Sequence, residues 1–342
     1  MFEIRVDPEN GNDDWDGTSW VHNGTVGPKL TIQGAIATIY SPPSEEVKIL
    51  LKSNIDDYTY TENVVIDGIR PIGLGAKLSI EPRHSDDSTV KWDQSVYNAH
   101  TYSPFQNGTA GTWDIKSSRP VKIGSYIEVR NSGLVEIHGL HFDGAGSGNA
   151  GVLATSNSQV RVMYSRFEGA RSAAASQYGS ALEIQNNYFL ENTGAIVSML
   201  RSTINLVGNN YIENPRWLGI YTVADELIAV LPWDQAPLLF ATLEIKTTGP
   251  RGAFTGIKLS GGSKLKVWEG LLPNEATPGS VIFRHEYPTI SAGYRAVVLE
   301  EKSLLVGAKY FEFFAQDAKE DTIPMPEENT IICADGESSI FD

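Results

Sequence analysis

The sequence predicts an all-β solenoid, with each internal repeat forming one coil of a parallel β-helix. Three observations point there: a repeat period in the low twenties, β-type alternation within each repeat, and a composition rich in Gly (32) with only 4 Met. The repeat is clearest in IEVRNSGLVEIHGLHFDG (127–144), GVLATSNSQVRVMYSRFEG (151–169), SALEIQNNYFLEN (180–192) and GAIVSMLRSTINLVGNNYIEN (194–214). Phe142, Phe167, Phe189 and Ile212 correspond, at intervals of 25, 22 and 23 residues. One such coil alone has an uncovered apolar face and unpaired strand edges. Stacking coils about 4.8 Å apart removes both defects. Leucine-rich repeats share the period but need regularly spaced Leu and an Asn, which this chain lacks.

Taken in order, residues 1–45 read as an acidic loop followed by a cap helix. In PKLTIQGAIATI (28–39), Ile32, Ile36 and Ile39 fall at helical spacing, and Pro42-Pro43 ends the run. Residues 46–322 read as the solenoid, each coil built from two short strands parted by a polar turn. Its weaker C-terminal repeats are FTGIKLSGGSKLKVWEG (254–270) and YRAVVLEEKSLLVGAKYFEF (294–313). A polar, aromatic insertion at about 83–120 is too long for one coil turn and reads as a lateral loop. TIPMPEE (322–328) looks like the exit from the last coil, leaving 323–342 as a C-terminal cap or tail. The tandem Asn186-Asn187 and Asn209-Asn210 lie 23 residues apart, where Asn suits a left-handed turn and can stack on its equivalent in the next coil.

DPENGNDDWDG (7–17) followed by GPKLTIQGAI (27–36) resembles the opening of right-handed β-helix proteins of the pectate-lyase-like superfamily. The resemblance implies a right-handed parallel β-helix. That superfamily includes polysaccharide lyases, glycoside hydrolases, epimerases, phage tailspikes and proteins without catalysis, so it leaves the activity open. Its calcium-dependent lyases hold the metal with acids on one sheet and use an Arg base, and no matching motif is found here. The tailspike members imply a homotrimer with axes side by side, located in a virion tail beside other tail proteins.

The candidate chemistry is a column of acids. Asp143, Glu168, Glu191 and Glu213 lie one or two residues after the aligned apolar positions, so successive coils bring them to one corner. Adjacent coils would hold them about 5 Å apart and alternate coils about 10 Å, spacings that bracket those of retaining and inverting glycoside hydrolysis. Glu168 with Glu191 is the expected acid and nucleophile pair. The alternative is that the acids are solvated or paired with Arg166, Arg171, Arg201 or Arg216. Trp92, Trp113, Tyr97 and Tyr102 in the insertion, with Arg166, are the expected substrate contacts, since an aromatic plane covers the apolar face of a sugar ring. Trp217 follows the coil pattern and reads as a packing residue.

Asn12-Asp13-Asp14-Trp15-Asp16-Gly17 partly matches the start of a calcium loop, but position twelve is Asn23 rather than Glu. An Asx-rich turn is the preferred reading, with a weak calcium site as its alternative, and no other metal or cofactor is expected. His138 and His141, read on one strand, would face opposite ways and share no metal. A net charge of −15 excludes nucleic acid as a partner, and no apolar run is long enough to span a membrane. The single Cys333 excludes an internal disulfide.

The N-terminus lacks the features of a secretory signal. The expected function is therefore a tailspike-like virion protein that binds host surface polysaccharide, with its cleavage, by hydrolysis or by elimination, left open. The alternatives are a secreted bacterial polysaccharide lyase or glycoside hydrolase in an extracellular setting, and a non-catalytic structural or adhesive solenoid.

Overall fold

The computed structural model describes residues 1–39, 42–53, 58–83, 121–144, 150–223, 227–231, 242–247, 254–267, 280–285, 294–306, 311–317, 320–324, 332–334 and 337–341. The chain is a parallel β-helix. Each coil contributes three strands rather than the two expected. Tyr126–Arg130, Leu134–His138 and His141–Asp143 form one coil, and Gly151–Thr155, Gln159–Met163 and Arg166–Glu168 form the next. The third strand is only three residues long, too short for an alternation pattern to announce it.

Stacked coils build three sheets: sheet I through Leu134–His138, sheet II through Tyr126–Arg130 and sheet III through His141–Asp143. Among the described residues the strand pairs are parallel, except for Phe311–Asp317 against Glu320–Pro324.

The aligned apolar row is the core. Phe142, Phe167, Phe189 and Ile212 pair in register on sheet III and are 0–1% exposed. The rings stack in parallel, with centroids 4.7 Å apart for Phe142–Phe167 and 4.8 Å for Phe167–Phe189. That spacing is the inter-strand repeat itself, so the backbone ladder and the ring stack enforce one another.

Buried polar ladders turn the corners between sheets. Between sheets I and III, the Leu140 amide donates to Ser165 Oγ (3.3 Å), the Ser165 amide to Asn187 Oδ1 (2.8 Å) and the Asn187 amide to Asn210 Oδ1 (3.0 Å). The stacked-Asn expectation holds at this corner. Between sheets II and I the ladder is serine: the Ser132 amide donates to Ser158 Oγ and the Ser158 amide to Ser180 Oγ. A corner cannot continue a strand ladder, so side chains satisfy its amides.

Asn187 illustrates the cost. Its Nδ2 also donates to the Val162 and Gln185 carbonyls. Asn187→Ala removes the acceptor of the Ser165 amide and one donor to each of two carbonyls, of which Gln185 still accepts from the Tyr164 amide. It is expected to destabilise by about 3 kcal/mol, read as a lowered denaturation midpoint. Asn209→Ala, at the half-buried neighbouring position, is expected to cost under about 0.5 kcal/mol.

Both ends of the solenoid differ from expectation. Phe2–Val6 already pairs with Val47–Lys52, so sheet I starts before the cap helix. The helix itself is shorter, Ile32–Ala37, with Ile32, Ala35 and Ile36 buried. Thr31 caps it by accepting from the Gly34 amide, and the Glu62 carboxylate accepts from the Ile32 and Gln33 amides. The acidic loop braces this start: Asp13 accepts from the Leu30 and Thr31 amides and the Thr31 hydroxyl. At the other end, Ile332–Ala334 pairs with Tyr294–Leu299, and Ser339–Phe341 with Leu304–Val306. Coils therefore continue past residues 322–328, and the tail expected from 323 supplies strands to sheets I and II. Short strands beyond a Pro-rich stretch carry too little alternation to be seen in sequence.

Candidate active site on sheet III

Residues on either side of the inward Phe row point outward, because side chains alternate along a strand. Two outward rows result. One is His141, Arg166, Tyr188 and Tyr211; the other is Asp143, Glu168, Leu190 and Glu213. The expected acid column thus exists in part. Asp143 and Glu168 are direct neighbours, and Glu213 lies two strands from Glu168.

Glu191 is not in the row: Leu190 occupies its place. Glu191 follows the strand at a corner, with φ 52°, and its carboxylate lies 3.4 Å from Arg216. The pairing of Glu168 with Glu191 is corrected for this reason. One residue of offset moves a side chain from strand face to corner.

Glu168 is the best-anchored acid on this face. Arg166 donates to its Oε2 from Nε (3.0 Å) and Nη2 (2.6 Å), and His141 Nε2 lies 3.3 Å from the same oxygen. The His141 contact foremost, with the Arg166 pair and against the opposing effect of burial, lowers the Glu168 carboxyl to about 2. It is therefore an anion at any working pH, suited to act as a nucleophile or base and unsuited to donate a proton. Its side chain keeps 32% exposure, whereas Arg166 keeps 11% and His141 3%. Arg166, expected to contact substrate directly, mainly serves Glu168 and lies over the Tyr188 ring at 5.5 Å.

Tyr188 donates to Glu213 Oε2 at 2.5 Å and stacks on Tyr211 with centroids 5.5 Å apart. Burial, then the Glu213 contact, raises the Tyr188 phenol well above its usual range. It stays a proton-bearing donor to Glu213.

His141, Tyr188 and Tyr211 are functional candidates that the sequence reading missed. The signal was present: each is the residue just before an aligned apolar position. His138 and His141 do not share a strand, because Gly139, at φ 60°, turns the chain from sheet I to sheet III between them. Trp92, Trp113, Tyr97 and Tyr102 lie outside the described residues. Trp217, read as a packing residue, is 61% exposed. Among the described residues no three His, Cys, Asp or Glu side chains converge as metal ligands.

A second charged cluster, on the outer face of sheet I, is structural. Glu136 is 3% exposed and meets Lys77 at 2.6 Å, Arg161 at 2.9 Å and His138 at 3.3 Å. Arg161 continues to Glu183 at 2.6 Å. Burial pushes the Glu136 carboxyl up, but contacts with His138 and Lys77 outweigh it and hold the group at about 2, against an ordinary 4.5. A carboxyl lowered on folding stabilises the protein above its unfolded pKa, and that stability is lost as pH falls through the folded value. The thermal midpoint is thus expected to be insensitive to these acids above about pH 5 and to fall between about pH 4.5 and 2. In Glu136→Gln the neutral-pH stability drops by about 2 kcal/mol and the acid limb becomes shallower. An unchanged acid limb in that variant would contradict the assignment.

No protein-family model and no curated protein matches the chain. Among solved structures, a pectin methyl esterase of the rice weevil is similar over 92% of this chain and 87% of its own, at 12% identity and a TM-score of 0.28. A pectin methylesterase in complex with a hexasaccharide matches 99% of this chain and 90% of its own, at 11% identity and a TM-score of 0.28. Escherichia coli YbhC matches 99% and 83% at 10% identity, again with a TM-score of 0.28. Likeness at this level says nothing about chemistry, and the face on sheet III stands on its own geometry.

Proposed function

We propose that the protein binds a polysaccharide across the outer face of sheet III and hydrolyses it there. The observation that carries this reading is Glu168: a half-exposed carboxylate in mid-sheet, held ionised by Arg166 and His141, with Asp143 directly opposite on the next strand. Adjacent strands lie about 4.8 Å apart, close to the roughly 5–5.5 Å carboxyl separation of retaining glycosidases. In this assignment Glu168 is the nucleophile and Asp143 the proton donor. Glu213, about 10 Å from Glu168 across two strands and hydrogen-bonded by Tyr188, contacts substrate hydroxyls.

The setting we infer is the tail of a virus particle acting on host surface glycan, a reading that rests on the sequence alone. The test uses purified protein against capsular, O-antigen and plant polysaccharides, with reducing ends and the ultraviolet absorbance of unsaturated products both recorded. New reducing ends without that absorbance support hydrolysis at this acid pair. Both signals together indicate elimination and overturn the assigned roles. Silence across the panel from folded protein counts against cleavage. Incorporation of the protein into particles tests the setting separately.

A further inference from the structure

An Asn-Gly pair is open to intramolecular attack, because glycine has no side chain to shield its amide nitrogen. The chain holds three such pairs, Asn10-Gly11, Asn23-Gly24 and Asn107-Gly108. The third lies outside the described residues. The first two share their chemistry but not their surroundings.

Asn10-Gly11 is pinned. The Gly11 amide donates to the Asp7 carbonyl at 2.8 Å, and Asn10 Nδ2 donates to Asp7 Oδ2 at 3.3 Å. The Asn10 amide reaches Asp7 Oδ1 at 3.2 Å. Asp7 is itself 3% exposed and paired with Lys52 at 2.7 Å. Backbone crowds the glycine as well, since a Cβ on Gly11 would stand 2.2 Å from the Lys29 carbonyl oxygen. The attacking nitrogen and the side chain it would attack are both held.

Asn23-Gly24 is not. Residues 23–26 form a tight hairpin turn, closed by the Asn23 amide on the Val26 carbonyl (2.8 Å) and the Val26 amide on the Asn23 carbonyl (3.1 Å). Gly24 takes the first central position with φ 69°, where glycine is preferred. Asn23, Gly24 and Thr25 are all exposed. Among the described residues nothing accepts from the Gly24 amide, and nothing lies within 4 Å of where its Cβ would stand. His22 Nε2 lies 2.8 Å from the Gly24 carbonyl oxygen, which leaves the nitrogen untouched. Opening this turn breaks two bonds on an exposed loop. Opening the first pair disrupts the contacts of a buried, ion-paired carboxylate.

We propose that Asn23 is a site of spontaneous covalent modification, losing its side-chain amide through a cyclic imide formed with Gly24. The Gly24 nitrogen gives up its proton and bonds to Asn23 Cγ. The Cγ–Nδ2 bond breaks, and Nδ2 leaves as ammonia with that proton. Water then opens the imide at either carbonyl, giving aspartate or its β-linked isomer, and nothing is oxidised or reduced. The product carries one more negative charge, and the β-linked form lengthens the backbone by a methylene. That extra atom breaks the register of the turn. The Thr25 carbonyl accepts from the Asp16 amide at 3.1 Å, and the same loop seals the outer edge of the first strand through Gly17 and Lys29, bonded to Arg5 at 2.7 and 2.8 Å. The modification therefore loosens the cover of the sheet I edge.

The test incubates the whole folded chain in mildly alkaline buffer and maps its peptides by mass spectrometry at intervals. A gain of about 1 Da is expected at Asn23, with β-linked aspartate among the products, and Asn10 should convert at least about tenfold more slowly. In urea the two rates should converge, because the fold alone separates them. Asn23→Gln should abolish the gain at that position, since the longer side chain closes a less favourable ring. Hydrogen exchange at the Asp16 amide should quicken in the converted chain. An unmodified Asn23 in folded chain, while unfolded chain converts, overturns the proposal. So do equal rates at Asn10 and Asn23 in the folded chain, or rates that stay apart in urea. Unchanged exchange at Asp16 in the converted chain overturns the loosening.

Discussion

Glu168→Gln is expected to reduce glycan cleavage by about 10²–10⁴-fold, with the thermal midpoint within a few degrees of the parent. The amide keeps the size of the carboxylate and its hydrogen bond from Arg166, but it cannot attack an anomeric carbon. Asp143→Asn should fall into the same range. Glu191→Gln should cut at nearly the parent rate, because Glu191 stands at a corner beside Arg216 and not in the row. The comparison is made from kcat/KM on the polysaccharide found active, with circular dichroism as the folding control. Parent-rate cleavage by Glu168→Gln would remove the assignment. Equal losses at Glu168 and Glu191 would argue instead for damage to the coil. The low folded pKa also predicts the pH profile: the acid limb due to Glu168 falls near pH 2.

Phe167→Ala is expected to destabilise the protein by about 3–5 kcal/mol. The ring is 0% exposed and lies between Phe142 and Phe189 in one continuous stack. The strands on both sides are held by parallel ladders at fixed spacing, so they cannot close over the void. Phe167→Leu keeps most of the volume and should cost under about 2 kcal/mol. Equilibrium denaturation distinguishes the two. The effect should also reach function, because Phe167 separates Arg166 from Glu168 on its strand. A loosened Phe167 relaxes the clamp that holds Glu168.

What the sequence made legible follows from the geometry of a solenoid. Phe142, Phe167 and Phe189, and Asn187 with Asn210, are spatial neighbours because they lie one coil apart, and coil length is a spacing that can be counted. The outward row His141, Arg166, Tyr188 and Tyr211 was equally available, one residue before the core row. Glu191 misled because coils here differ in length, at 25, 22 and 23 residues. The difference is absorbed at corners, where two successive residues both look like turn positions. Only hydrogen-bond register places Leu190, and not Glu191, beside Glu168. The three-residue third strands of the central coils, and Ile332–Ala334 and Ser339–Phe341 after residue 322, were hidden because three residues cannot display an alternation.

By itself, the sequence determined the all-β solenoid, its core row, its Asn corner and the acids near that row. These depend on period and side-chain type, which are local properties repeated along the chain. Only the tertiary structure decided which acids share a face, and which of them is held ionised and by what. Those depend on register across strands and on partners brought in from other positions, such as His141 against Glu168 and Lys77 against Glu136. A contact between coils costs the chain a whole turn of about 22–25 residues, so a shift of one residue at a corner is invisible in the spacing and decisive in the site.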